Sequence, residues 1–256
     1  MSASPLPRRS PETDSKPRNN LLAALNPRDW ALLRPHLAPL QLDAGQVLYE
    51  PGDVVRQVYF PCDATLLAFR VVLEDGRAVE TALVGREGAV AGIVSQGRLP
   101  AFARAEVQSA GPALRMDLAE LEAAKVQSLT LRHLFARYAD CVMAQIFQSV
   151  ACNAAHSIEQ RAAKWLLSAM DRTGDTRFPM TQEHLAGMLG VGRSYVSRVI
   201  QQLKHQGILE THRGGLVVSD LDGLNRLACD CQGAVRRHFD EVLRGVYPDE
   251  PITESG

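Results

Sequence analysis

Residues Thr181 to Leu203, TQEHLAGMLGVGRSYVSRVIQQL, place two short helical patterns on either side of Gly190-Val191-Gly192, and few folds accommodate that arrangement. Leu185, Met188 and Leu189 recur at i, i+3 and i+4, and Val196, Ile200 and Leu203 form a second apolar stripe. Thr181 can cap the first helix, and Glu183 in its first turn suits the positive end of the helix dipole. Two helices crossing at a tight turn need a small residue at the approach, a residue tolerant of positive φ at the turn, and a branched anchor in the second helix. Ala186, Gly190 and Val196 supply them in that order. The pattern predicts a helix-turn-helix; the bland alternative is an ordinary helical hairpin with a solvated charged face.

At ~100° per residue, Ser194, Arg198, Gln201 and His205 lie opposite the apolar stripe of the second helix, with Arg193, Tyr195 and Ser197 flanking its start. Arginine and glutamine can make bidentate contacts to guanine and adenine edges, while serine, threonine and tyrosine hydroxyls can hold phosphates. Gly207–Thr211 and Leu216–Val218 read as two strands around His212-Arg213-Gly214-Gly215, a β-wing with a basic tip. The candidate contacts to double-stranded DNA are therefore Thr181, Arg193, Ser194, Tyr195, Ser197, Arg198, Gln201 and Arg213. Local charge agrees: residues 161–213 hold eight Arg and Lys against four Asp and Glu, although the whole chain has a formal charge of −1.

The 256 residues suffice for two ordinary domains, and 46% hydrophobic with 22% charged content excludes a wholly disordered chain. Residues 1–20, with Pro5, Pro7, Pro11 and Pro17, predict a mobile tail. Leu21 to Leu37 suggests short helices broken at Asn26-Pro27. From Leu40 to Met116, short β-branched and aromatic runs alternate with turn signals, Asp75-Gly76 among them. They predict an antiparallel roll over 21–127 able to hold a small ligand. A winged unit is expected over 158–245 and a second tail over 246–256.

Asp117 to Met170 contains no glycine or proline, and predicts helix. Leu131, Phe135, Tyr138, Val142, Gln145, Ser149, Cys152 and His156 alternate by four and three, the spacing of a heptad seam. A helix over 128–157 with this seam suits dimerisation; the alternative is a helix lying across the roll.

Several chemistries are disfavoured. No histidine falls between 37 and 132, which removes a cupin-type metal enzyme, and no G-x-S-x-G, P-loop or H-E-x-x-H string occurs. A chain without enzyme activity, metal or cofactor is expected. The five cysteines, at 62, 141, 152, 229 and 231, form no C-x-x-C pair and are scattered along the chain, against a disulfide framework or an iron–sulfur cluster. Cys229 and Cys231 read as packing residues, with only His238 near them in sequence. With no long apolar run, a cytoplasmic protein is expected.

The order of roll, long helix, QRAAKWLLSAMDR, helix-turn-helix and wing resembles the Crp/Fnr superfamily of bacterial transcription regulators, over about residues 21 to 245. The resemblance implies an α+β fold: an N-terminal antiparallel β-roll like a cyclic-nucleotide-binding domain, a long dimerisation helix and a C-terminal winged helix-turn-helix. It also implies a homodimer on a palindromic operator, DNA affinity modulated by a signal at the roll, and RNA polymerase as a partner if the protein activates. Two departures stand out. Ser194 replaces the glutamate that many members carry between Arg193 and Arg198. Members that bind cyclic nucleotides have Gly-Glu and Arg-Ser or Arg-Thr where this chain has Gly88-Ala89 and Arg104-Ala105. Cyclic AMP or cyclic GMP remains the alternative effector; no effector-binding residue is assigned.

Overall fold

The computed structural model describes residues 17–91, 100–178, 180–212 and 215–244. Helices α1 (Asn20–Ala23) and α2 (Pro27–Leu33) begin where the Asn19 and Asn26 side chains accept the N–H groups of Leu22 and Asp29. Asn19 corrects one boundary. It falls within the expected tail but is fully buried, its amide donating to the carbonyls of Pro61 and Gly88 at 2.8 Å each. Composition cannot reveal such an anchor, because its partners lie far along the chain. Residues 1–16 of that tail and the tail expected over 246–256 lie outside the described residues.

Seven strands form two antiparallel sheets: β1 (Ala38–Leu42), β2 (Val47–Tyr49), β3 (Gln57–Pro61), β4 (Leu66–Val72), β5 (Ala78–Val84), β6 (Arg104–Ser109) and β7 (Gly111–Asp117). Their orders are β1-β7-β3 and β2-β6-β4-β5. The β4–β5 hairpin turns at the expected Asp75-Gly76, with Gly76 at φ +81°. Leu42, Leu67, Val84, Val90, Ala105 and Val107 fill the space between the sheets.

The stretch without glycine or proline becomes three helices, α3 (Leu118–Gln127), α4 (Leu129–Ala155) and α5 (Ile158–Thr173). Serines make the breaks. Ser128 caps α4, and Ser157 with Gln160 forms a capping box for α5. The chain continues through β8 (Arg177–Phe178), α6 (Gln182–Leu189), α7 (Arg193–His205), β9 (Leu209–His212), β10 (Gly215–Val218), α8 (Leu221–Leu227) and α9 (Cys231–Leu243). β8, β10 and β9 form a small antiparallel sheet in that order. The last helix, expected with the C-terminal unit, lies along α4. Arg137 donates to the Val242 carbonyl at 2.9 Å, His238 pairs with Asp140 at 2.8 Å, and Phe239 meets Tyr138 edge-on. Among the described residues no helix is long and apolar enough to cross a membrane.

The seam expected to join two chains faces inward instead. Leu131, Phe135 and Tyr138 are at most 1% exposed and share a core with Val58, Phe60 and Met116 of the roll. Val142 and Cys152 are buried, Ser149 is half-buried, and the Gln145 amide pairs with the backbone of Leu83. Helix α4 therefore lies across the roll through this stripe. A second apolar stripe on α4 is open: Leu129, Met143, Ile146, Phe147 and Val150 are 37–66% exposed. Leu129, Ala136, Met143 and Val150 recur every seven residues, so the period that predicts one seam also fits a second, rotated round the helix.

The cysteines need a further correction. Cys229 and Cys231 converge with Cys152 and His156 from the end of α4, whereas His238 is engaged by Asp140. Scatter along the chain was no measure of scatter in space.

Candidate functional site

The Thr181 hydroxyl caps α6 by accepting the His184 N–H at 3.1 Å, leaving its own proton to donate. Gly190 ends that helix at φ +67°. The N–H of Val191 reaches the Ala186 carbonyl at 3.1 Å and that of Gly190 the Gly187 carbonyl at 3.2 Å, the Schellman pattern. Any side chain at Gly190 would strain this turn. Ala186, at 2% exposure, provides the close approach, and Val196, Val199, Ile200 and Leu203 of α7 are all buried. The sequence stripe identifies three of these four; Val199 completes it. These residues pack with Ala162, Trp165 and Leu166 of α5 and with Leu209, Leu216 and Val218 of the small sheet. Each fully buried aliphatic side chain contributes about 1.5–3 kcal/mol, so the geometry of α6 against α7 is held by core packing.

The opposite face of α7 is open. Ser194, Arg198, Gln201 and His205 are exposed, as are Arg193 and Tyr195; Ser197 is half-buried. The Arg198 guanidinium lies over the Tyr195 ring at 4.9 Å, a cation–π contact that holds it on the helix surface. Its signal was the i, i+3 spacing of an aromatic and an arginine. Arg193 is 3.8 Å from Glu183, both about 70% exposed, a weak pair that leaves the guanidinium available. The strands β9 and β10 are paired with His212 opposite Gly215, while the wing tip itself, Arg213 and Gly214, lies outside the described residues. A rigid helix thus carries guanidinium, amide and hydroxyl groups on one accessible face. That combination can engage base edges and phosphates.

Sequence reasoning missed how this unit meets the roll. Gly187 of α6 and Gly190 at its C-cap face Arg70 and Val79 of the β4–β5 hairpin. The Trp165 indole N–H donates to Glu80 at 2.8 Å, and Arg172 pairs with Glu87 at 2.8 Å. Burial of Glu80 pushes its carboxyl up to about 7, despite the Trp165 hydrogen bond and the nearby Lys164 and Arg70 charges. A cleft of about 300 Å³ opens at this junction, lined by Glu80, Glu87, Gln145, Lys164 and Arg172 among others.

In the roll, the position where a nucleotide-binding site would need a carboxylate is closed. Ala89 is fully buried, and its N–H and carbonyl both bond the Tyr138 hydroxyl at 3.0 Å. A Cβ on Gly88 would sit 2.0 Å from that hydroxyl, so glycine is required there. Glu87, the nearest carboxylate in sequence, turns to Arg172 and to the Gly85 N–H. Arg104 is engaged by Glu50 at 2.8 Å, and Glu106 beside it is held by Arg70 at 3.0 Å. The arginine available for a cyclic phosphate therefore already has an anionic partner.

Residues 160–227 match the Crp-like helix-turn-helix domain. Among solved structures the chain is similar to FixK2 from Bradyrhizobium japonicum, with a TM-score of 0.62 at 19% identity over 75% of this chain and 98% of that one. It is similar to a CRP-family transcriptional regulator from Thermus thermophilus, with a TM-score of 0.62 at 18% identity over 73% and 95% of the two chains. It also resembles the c-di-GMP responsive regulator CLP of Xanthomonas campestris, with a TM-score of 0.62 at 12% identity over 76% of this chain and all of that one. No curated protein matches the sequence.

Proposed function

From a chain with the Crp/Fnr-type fold and a Crp-like helix-turn-helix domain, we propose a sequence-specific DNA-binding transcription regulator that acts as a homodimer. The observation that carries this reading is the open face of α7, where Ser194, Arg198 and Gln201 stand opposite four buried anchors. Arg198 and Gln201 contact base edges, Ser194 replaces the acidic reader of many relatives and so changes the preferred sequence, and Thr181, Arg193, Tyr195, Ser197 and Arg213 hold phosphates. RNA polymerase is the further partner if the protein activates.

The dimer forms on the exposed stripe of α4, through Leu129, Met143, Ile146, Phe147 and Val150, because the other stripe is occupied by the chain's own roll. Two α7 helices about one DNA turn apart, ~34 Å, require a palindrome with half-sites ~10 bp apart centre to centre. The β-roll modulates DNA affinity through its junction with α5 and α6.

Selection from a random DNA pool at stated salt tests the reading. Enrichment of a palindrome, with affinity that falls steeply as salt rises, is the expected result. A chain that enriches no motif and shifts no duplex would overturn it.

A further inference from the structure

Four metal-ligating side chains meet at a point that the DNA-binding reading does not use. Cys152 projects from the last turn of α4 and His156, four residues on, from its C-cap, and Cys229 and Cys231 flank Asp230 where α8 gives way to α9. The Sγ atoms of Cys152 and Cys229 are 3.6 Å apart, and Cys231 Sγ lies 3.6 Å from His156 Nδ1. All four ligand atoms fall within 4.8 Å of one another. The three thiols are at most 8% exposed and, among the described residues, form a buried cluster of their own.

The spacing discriminates between kinds of metal centre. Zinc binds thiolate sulfur at ~2.3 Å and imidazole nitrogen at ~2.0–2.1 Å, so a tetrahedral ion sets its ligand atoms roughly 3.5–3.8 Å apart. The two separations of 3.6 Å match that. An iron–sulfur cluster divides its four protein ligands among two or more irons and spreads them further than the 4.8 Å within which these four lie. We propose that Cys152, His156, Cys229 and Cys231 form a mononuclear, tetrahedral Cys3His site for a zinc-class divalent ion.

Binding exchanges three thiol protons for three metal–sulfur bonds and adds one bond from neutral imidazole, with no change of oxidation state. The loaded centre carries one net negative charge. The Arg161 guanidinium interacts electrostatically with Cys152 and Cys229 and offsets that charge. Gln148 Nε2 donates to Cys231 Sγ at 3.1 Å, an outer-shell contact of the kind that orients a thiolate. The site also has a mechanical position. His156 sits at the break between α4 and α5, and Cys231 opens α9, so one ion ties the end of the long helix to the returning C-terminal helix.

The test is metal content and spectroscopy of the reduced full-length protein, which is independent of any DNA result. One zinc per chain is expected. After chelation, one equivalent of Co(II) should give tetrahedral visible bands with thiolate-to-cobalt charge transfer. Cys229→Ser should weaken zinc binding beyond the ~100-fold upper range for losing an outer-shell partner, and Gln148→Ala by about tenfold. Cys62→Ser and Cys141→Ser should leave it unchanged, and His156→Cys should keep a tetrahedral spectrum with stronger charge transfer. Wild-type protein that takes up neither zinc nor cobalt stoichiometrically would overturn the proposal. So would a Cys152–Cys229 disulfide as the stable state under reducing conditions, or an iron–sulfur chromophore in the purified protein. The wild-type titration decides even if a variant fails to fold.

Discussion

The carboxyl of half-buried Glu80 on β5 accepts a 2.8 Å hydrogen bond from the indole N–H of Trp165 on α5. This contact joins the roll to the helix-turn-helix unit, and it involves a group whose charge costs most where it is buried. The second oxygen, Oε2, is buried with no hydrogen-bond partner among the described residues, and burial of the charge favours the protonated form in the fold.

That burial makes the junction sensitive to pH. The Glu80 pKa rises from 4.5 to about 7 on folding, so the folded state holds its proton longer than the unfolded state. Its contribution is fully present below pH 4.5 and is lost as pH rises through about 7. The difference amounts to roughly 3 kcal/mol across that window, at 1.36 kcal/mol per pKa unit. Denaturant unfolding between these limits should show the loss, and Glu80→Gln, which keeps an acceptor for Trp165, should flatten it. An unchanged profile in the variant would exclude Glu80 as the source.

Arg198 and Tyr195 should separate specificity from affinity. Arg198→Ala is expected to cost about 1–3 kcal/mol at one base position and to relax preference there. Tyr195→Ala, which removes the ring beneath the guanidinium, should cost about 0.5–1 kcal/mol with the selected motif preserved. If Arg198→Ala left the motif unchanged in repeat selections, α7 would not read bases through that residue.

The two stripes of α4 should respond in opposite ways. Phe147→Asp, at an exposed position, is expected to convert the dimer to a monomer in light scattering with stability altered by about 0.5 kcal/mol or less when measured on the monomer. Tyr138→Ala, at a fully buried one, should cost roughly 3–5 kcal/mol of folding stability. A Phe147→Asp protein that stays dimeric would place the interface elsewhere.

Neither cyclic AMP nor cyclic GMP should bind the roll at micromolar concentration. A cyclic phosphate would have to displace Glu50 from Arg104, and no carboxylate occupies the Ala89 position to accept the ribose hydroxyl. Calorimetric titration tests this; micromolar binding abolished by Arg104→Ala would restore the nucleotide reading.

What the sequence determined by itself is the part of this protein governed by neighbours in the chain. The helix-turn-helix was legible because its cap, its stripes and its left-handed glycine turn are relations among residues within about five positions, from Thr181 to Leu203. The β4–β5 hairpin was legible at Asp75-Gly76 for the same reason. Only the tertiary structure decided what covers each surface. A seven-residue period on α4 reveals that apolar stripes exist, but Tyr138 is buried and Phe147 exposed because the roll and α9 cover one side of the helix. Trp165 of α5 meets Glu80 across 85 residues, and Cys152 meets Cys229 across 77. Burial and ligand geometry are properties of space around a side chain, and separation along the chain carries almost no information about them.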